Sequence, residues 1–300
     1  MQTTVWDRSN YALTSGYLSR MHLENQNQIL SVSVVVYRPD VLLLTRTLAS
    51  LASACAALRA KAPDVPGVTM TLYLVDNGGL PDIATSLSVL HDCGVTPVLL
   101  SGHGNVGYGR GHNLALGRAT SRYHLVLNPD IDLDADALVN AVNFLDQHAD
   151  AGLLTPCIKD DEGHLQYLCR RYPTVFDLFV RGFLPLRFRR YFAARLARYE
   201  MREVINANDV VWDPPIASGC FMMFRTALLK QLNGFDSRYF LYFEDYDLSL
   251  RTHESARVVY VPEVRVRHYG GGAARKGWAH IRMFVASAFR FFSRFGWRWF

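Results

Sequence analysis

The chain has 300 residues, half of them hydrophobic and 20% charged, which suffices for a sizeable core and excludes a disordered or fibrous protein. Its 32 basic residues, 28 of them arginine, exceed the 27 acidic ones to give a net charge of +5. The mild excess is nearly all guanidinium, which favours forked contacts with phosphate or carboxylate, so an anionic partner is expected.

Residues 1–28 form a polar N-terminal extension without the charged-then-apolar layout of a signal peptide, and no 18 apolar residues run without a charge. These features predict a chain neither exported by that route nor membrane-spanning. The first element is a β-branched strand, Ile29 to Tyr37, closed by Arg38-Pro39-Asp40 and followed by an amphipathic helix over 41–61. A second strand, Val68 to Val75, ends in Asp76-Asn77-Gly78-Gly79; a helix over 81–93 and a strand over 96–100 follow. This alternation predicts a mostly parallel Rossmann-like α/β sheet flanked by helices, with ligands at the strands' C-terminal ends. The glycine-bearing stretch from Gly102 to Gly111 leads into a helix over 112–119. The strand Tyr123 to Leu127 then runs into Asn128-Pro129-Asp130-Ile131-Asp132, and Asp134 is placed to cap a helix reaching His148.

Past Gly152 the rhythm loosens. Residues 153–215 read as irregular, with a hairpin-like turn at Asp161-Glu162-Gly163 and an Arg- and aromatic-rich block over 170–202. Order returns with a strand over 220–225, a helix over 226–232, a helix opened by Tyr242-Phe243-Glu244-Asp245-Tyr246-Asp247, and short strands over 257–261 and 264–267. From Lys276 onward aromatics alternate with arginine and no acid occurs. The expected organisation is thus an extension (1–28), a first half (29–152), a second half of the same domain (153–272), and a basic aromatic helical tail (273–300). Cysteines 55, 93, 157, 169 and 220 show no paired or zinc-ligand spacing, as expected of reduced thiols in a cytosolic protein.

Five features could carry chemistry. Asp76 at a strand end can accept from a ring N–H, or simply terminate the strand as an Asx-turn residue. The stretch Asn105 to Asn113 is not placed as a dinucleotide fingerprint, yet its glycines permit close backbone approach at a helix start, where amide dipoles favour an anion. Asn128, Asp130 and Asp132 place oxygens where a hard cation could bridge a diphosphate, or else form a helix-capping cluster. Glu244, Asp245 and Asp247, flanked by aromatics, suit a general base with an altered pKa, or an acidic helix start. His268, at a strand end, is an imidazole ligand or a structural histidine.

Taken in order, SVVVY (33–37), LVDNGG (74–79), GNVGYGRGHN (104–113), LVLNPDI (125–131), SGCFMMFR (218–225), GFDSRYFLYFEDYDLSLR (234–251) and RHYGG (267–271) resemble the family 2 glycosyltransferases of the GT-A fold. Within that family the likeness is particularly to bacterial rhamnosyltransferase-like members, which makes 29–152 the nucleotide-sugar-binding half and 153–272 the acceptor and catalytic half. The resemblance implies transfer of a sugar from a nucleotide-sugar donor, with inversion, to a hydroxyl of a glycan or lipid-linked oligosaccharide in surface polysaccharide synthesis. dTDP-L-rhamnose is the favoured donor and UDP-sugars the next.

By the same resemblance Tyr37, Asp76, Asn77, Asn105, Gly107, Gly111, Asn113, Asn128 and Asp130 bind the nucleotide-sugar. Asp130 and His268 hold a divalent cation, Mg²⁺ or Mn²⁺; Asp245 is the base with Glu244 beside it. The family's Asp-x-Asp signature reads Asn-Pro-Asp here, so its first carboxylate is absent. A non-catalytic nucleotide-sugar-binding scaffold of the same fold is the alternative, disfavoured because these carboxylates are intact. A nucleic-acid binder is weaker still, since it leaves the acidic clusters without a role. The segments 181–202, with seven arginines, and 282–300, with four, interleave cations with aromatics. They suit either an anionic membrane surface or packing against the domain, so the protein is expected in the cytoplasm, free or peripheral on the inner face of the membrane.

Overall fold

The structure, a computed structural model, describes residues 28–61, 69–269 and 277–300. The N-terminal extension up to residue 27, the expected strand start at Val68, and the stretch from Gly270 to Lys276 lie outside the described residues.

A first parallel group contains β1 (Gln28–Val36), β2 (Thr69–Asp76), β3 (Val95–Leu100) and β4 (Tyr123–Leu127), side by side in the order β3-β2-β1-β4. β1 is buried from Leu30 to Val36, Ser31 and Ser33 included, because helices cover both of its faces. On one side lies α1 (Val41–Ala60), capped by Asp40, whose carboxylate accepts from the Leu42 and Leu43 amides at 2.9 and 3.1 Å. Its residues Leu44, Leu48, Leu51, Cys55 and Leu58 form one buried stripe at helical spacing. Among the described residues α1 alone is long and apolar enough to cross a membrane; that stripe facing the sheet accounts for its apolarity. Behind β2 and β3 packs α2 (Ala84–Asp92), and on the opposite face lies α3 (Tyr108–Leu116).

The sheet does not stop at the expected midpoint. β4 pairs antiparallel with β8 (Phe221–Arg225), β8 antiparallel with β6 (Ala151–Lys159), and β6 parallel with β9 (Arg257–His268); β5 (Ile131–Leu133) and β7 (Val211–Trp212) both pair antiparallel with β9. Among the described residues nine strands form one sheet, and residue 152 falls inside β6.

Three local readings are corrected. β6 lies in the stretch read as irregular, because Pro156 interrupts its pattern while eight of its nine residues are buried. The strands expected over 257–261 and 264–267 are one strand, β9, whose register against β6 shifts beside Pro156. Asp134 makes no side-chain cap: α4 (Ala137–Gln147) begins after it, and the residues before it form β5.

The second half adds α5 (Val175–Phe183), with a capping box between Thr174 and Asp177, then α6 (Leu186–Arg189) and α7 (Ala193–Tyr199). α8 (Thr226–Gln231) and α9 (Glu244–Thr252) follow β8, and α10 (Trp278–Phe295) closes the described chain. Half of the aromatic tail is core: Phe284, Phe291, Phe292 and Phe295 pack with Tyr172, Tyr242, Phe243 and Tyr246.

Candidate active site

The C-terminal ends of the parallel strands bring Tyr37, Asp76 and Asn128 to one edge of the sheet. Tyr37 is exposed, and Asp76 accepts from the Gly78 amide at 2.7 Å through Oδ1, so it is an Asx-turn residue with its other oxygen uncommitted. Asn105 forms a similar turn, accepting from the Gly107 amide at 3.1 Å.

Four residues expected against the nucleotide are engaged within the protein itself. Buried Asn77 donates to the Gly107 carbonyl at 3.0 Å and bonds His103 at 3.1 Å. α3 starts at Tyr108 rather than at 112, so Asn113 lies in its second turn; its amide group exchanges hydrogen bonds of 2.7 and 2.9 Å with the backbone of Phe235. Gly107, at φ +89°, passes so close to the chain that a Cβ would meet the Phe240 carbonyl at 2.4 Å, and at Gly111 one would meet Val35 at 2.9 Å. Gly107 thus lets one half of the molecule seat against the other, and Gly111 lets α3 seat on β1, demands the spacing of glycines does not reveal.

Asp130 follows β4 and precedes β5. Because Ile131 pairs opposite His268, the short strand carries Asp130 to the end of β9. His268 Nε2 lies 3.6 Å from Asp130 Oδ1, and that oxygen is buried without a hydrogen-bond partner. Gln166 fixes the imidazole: its Oε1 is 3.0 Å from His268 Nδ1, and its Nε2 donates to the His268 carbonyl at 3.1 Å. With Nδ1–H donating to Gln166, the Nε2 lone pair faces Asp130. Tyr269 donates its amide to the Asp130 carbonyl at 3.1 Å, and its ring is clamped by Arg46 and Asp132. An unpartnered buried carboxylate oxygen beside an imidazole nitrogen fits a divalent cation, with two protein ligands and the remaining positions open to water or phosphate. Among the described residues there is no group of three His, Cys, Asp or Glu that could hold such an ion alone.

The second carboxylate centre opens α9. Asp245 Oδ2 accepts from the Gly219 amide at 2.9 Å and Oδ1 from the Tyr246 amide at 2.9 Å, so its orientation is fixed. Glu244 Oε2 is buried without a partner. Burial first, and the neighbouring Asp245 second, push the Glu244 carboxyl up; burial also raises Asp245, against the lowering effect of its backbone donors. Asp247, two positions beyond Asp245 and so turned away from it, forms a buried pair with Arg251 at 2.6 Å and Arg294 at 2.8 Å.

Tyr108 joins the two centres. Its hydroxyl donates to the Gly219 carbonyl at 2.6 Å and lies 3.0 Å from Asn128 Oδ1, while Gly219 holds Asp245 through its amide. Burial raises the phenol well above its usual value, so it stays a neutral donor. Sequence reasoning missed Tyr108, Gly219 and Gln166. Only Gly219 left a signal, the glycine of SGC, where a Cβ would approach that of Asp245 to 3.3 Å.

The turn before α9 is strained: Tyr242 and Phe243 both take positive φ, 71° and 67°. It is held by α10, whose Ser287 donates to the Leu241 carbonyl at 2.8 Å and whose Phe284 and Phe291 rings lie 5.2 Å from Phe243.

The family described as glycosyltransferase like family 2 matches residues 82–284. Rhamnosyltransferase WbbL of Escherichia coli (strain K12) is 29% identical over 202 residues, covering 64% of this chain and 72% of that protein. The N-acetylglucosaminyl-diphospho-decaprenol L-rhamnosyltransferase of Mycobacterium tuberculosis (strain CDC 1551 / Oshkosh) is 29% identical over 146 residues, 48% of this chain and 46% of that one. The chain's match thus spans about half of the mycobacterial relative. Among solved structures, the mannosyltransferase PcManGT from Pyrobaculum calidifontis in complex with GDP-Man and Mn²⁺ superposes with a TM-score of 0.53 at 18% identity, over 93% of this chain and 74% of that one. Such a likeness shows the fold, which is GT-A.

Proposed function

The chain belongs to the family 2 glycosyltransferases, and from that premise we propose that it transfers L-rhamnose from dTDP-L-rhamnose to a hydroxyl of a glycan or lipid-linked oligosaccharide, with inversion, in bacterial surface polysaccharide synthesis. The names of two relatives, both rhamnosyltransferases, support the donor. The observation that carries the reaction is the Asp245 carboxylate, locked by two backbone amides and linked through Gly219 and Tyr108 to the side of the site that holds Asp130 and His268.

In this reading Asp130 Oδ1 and His268 Nε2 hold a divalent cation. When bound, it neutralises charge developing on the departing diphosphate. The chain's own residues do the rest. Gln166 keeps the His268 lone pair facing Asp130. Asp245 takes the proton from the acceptor hydroxyl as that oxygen attacks the anomeric carbon from the face opposite the leaving group. Its amide donors keep Asp245 ionised more readily than Glu244, which is held neutral beside it and can donate a hydrogen bond to a sugar hydroxyl.

A thermal-shift panel of dTDP, UDP, GDP and CDP, each with and without Mg²⁺ or Mn²⁺, tests the donor half, since a ligand of the folded state raises Tm. Metal-enhanced stabilisation selective for dTDP is expected, and Asp130→Ala should lose the metal enhancement. A UDP-selective response would replace the sugar; no response to any nucleotide would favour a scaffold. Asp245→Asn should retain the dTDP shift while single-turnover transfer falls by about 10²–10⁴-fold. Near-normal transfer by that variant would remove Asp245 from the base role.

A further inference from the structure

Two segments distant in sequence share an unusual composition: from Leu178 to Tyr199, and again from Lys276 to Phe300, there is no acidic residue. The fold brings them together. The chain after α10 runs back along α5, with the Val175 amide donating to the Arg298 carbonyl at 2.8 Å and the Phe176 amide to the Trp299 carbonyl at 3.2 Å.

One face of α10 is core; the other is not. Trp278, Arg282, Val285 and Phe289 fall at i, i+4, i+7 and i+11, a single stripe, and all four face solvent, Trp278 at 81% and Phe289 at 64% exposure. The stripe continues without a break: Phe289 lies 5.4 Å from Trp297, Trp297 stacks on Trp299 at 5.3 Å, and Phe300, 87% exposed, reaches Phe176 on α5 at 5.7 Å. α5 then contributes exposed Phe179 and Phe183, and the segment after it exposed Phe188 and Tyr191. Exposed Arg187, Arg190, Arg282 and Arg298 are distributed along this surface, and none has a carboxylate partner among the described residues. Other arginines of the same segments do: Arg195 pairs with Asp177 at 2.5 Å and Arg294 with Asp247 at 2.8 Å.

We propose that this surface, formed by α5 to α7, the exposed face of α10 and residues 297–300, docks the protein on an anionic phospholipid bilayer. A large apolar patch needs a cover, and one fringed by guanidinium groups, four of them without a carboxylate partner among the described residues, matches an interface that is apolar below and phosphate-rich above. Tryptophan and arginine suit that boundary, with rings at headgroup level and forked donors on lipid phosphates. A globular acidic partner would meet the cations but leave exposed aromatics such as Phe300 without an apolar medium to enter.

Vesicle binding is read without catalysis, so its outcome is independent of the transferase assignment. The full chain is sedimented with vesicles of phosphatidylcholine alone and of phosphatidylcholine with phosphatidylglycerol, at low and high salt. Binding to the anionic vesicles, weakened by salt, is expected. Replacing Arg187, Arg190, Arg282 and Arg298 together by glutamine should weaken it roughly fivefold per arginine. A second variant with Trp278→Ser, Phe289→Ser and Phe300→Ser should lose vesicle binding at high salt, while its Tm and its dTDP-induced thermal shift stay those of the parent. Failure of the full chain to sediment with anionic vesicles would overturn the proposal, as would unchanged binding by both variants or equal binding to neutral vesicles. Deleting 277–300 is the wrong test, because the same helix holds the Tyr242–Phe243 turn.

Discussion

Glu244 shows what burial does to a carboxyl group when one of its oxygens meets no donor. Its Oε2 has no partner, and its pKa is displaced upward by burial and then by Asp245. A carboxyl whose folded pKa lies above its unfolded value favours folding only while protonated. That stability is complete below the ordinary glutamate range and is lost as pH rises through the folded value; a tenfold change in proton affinity is worth about 1.4 kcal/mol. Glu244→Gln, neutral at every pH, should therefore melt close to the parent in acid and several degrees higher at mildly alkaline pH, as differential scanning fluorimetry across pH would show. A variant that tracks the parent throughout would mean that Glu244 ionises freely in the folded protein. The pair was legible in the sequence because two adjacent acids among aromatics are costly without a purpose. The amide donors that distinguish Asp245 from Glu244 come from a glycine 26 residues away and from the helix's own first turn, and no local pattern announces them.

At the scale of elements, the decisive pairing is α10 with the turn that opens α9. Two consecutive non-glycine residues at positive φ cost on the order of 1–3 kcal/mol each, and packing must supply it. Phe291 is fully buried between Phe243, Tyr246 and Tyr172. Phe291→Ala should cost about 3–5 kcal/mol in denaturant unfolding. Where the variant remains folded it should lose transfer more than nucleotide binding, since the cavity opens behind Glu244 and Asp245 and away from Asp76. Equal loss of both would show that α10 supports the whole fold rather than the turn. The sequence could not decide whether the aromatic tail packs inward or faces outward, because the 3.6-residue period of 278–295 is crowded with rings on both faces. In the structure both readings apply, each to its own side of the helix. β5 was illegible for a different reason. Three residues are too short for a pattern, and the strand exists only because β9 offers an edge.

Across the whole molecule, one sheet unites the two expected halves. The parallel rhythm of β1 to β4 was readable, since alternating strands and helices with polar strand ends leave a strong trace. The mixed remainder was not: β6 is interrupted by Pro156, and β8 and β9 acquire their neighbours from far along the chain. The shared sheet predicts that heat unfolds the described body in a single calorimetric transition, with calorimetric and van't Hoff enthalpies in agreement. A separate melting of residues beyond 152 would contradict a common core. At the centre of that core, His124 bridges Ser31 and Ser33 at 2.7 and 2.9 Å, and burial lowers its pKa to about 3, so the polar chain crossing the sheet carries no charge at neutral pH.

The clamp of α10 on the Tyr242–Phe243 turn also bears on biosynthesis. A ribosome makes the chain in order, so the carboxylates at 244 and 245 emerge before the helix at 278–295 that fixes the turn in front of them. Strands β1 to β4 can form early, whereas the turn that opens α9 lacks the packing that holds it until that later helix folds back. The final placement of these two carboxylates therefore waits for a helix made after them.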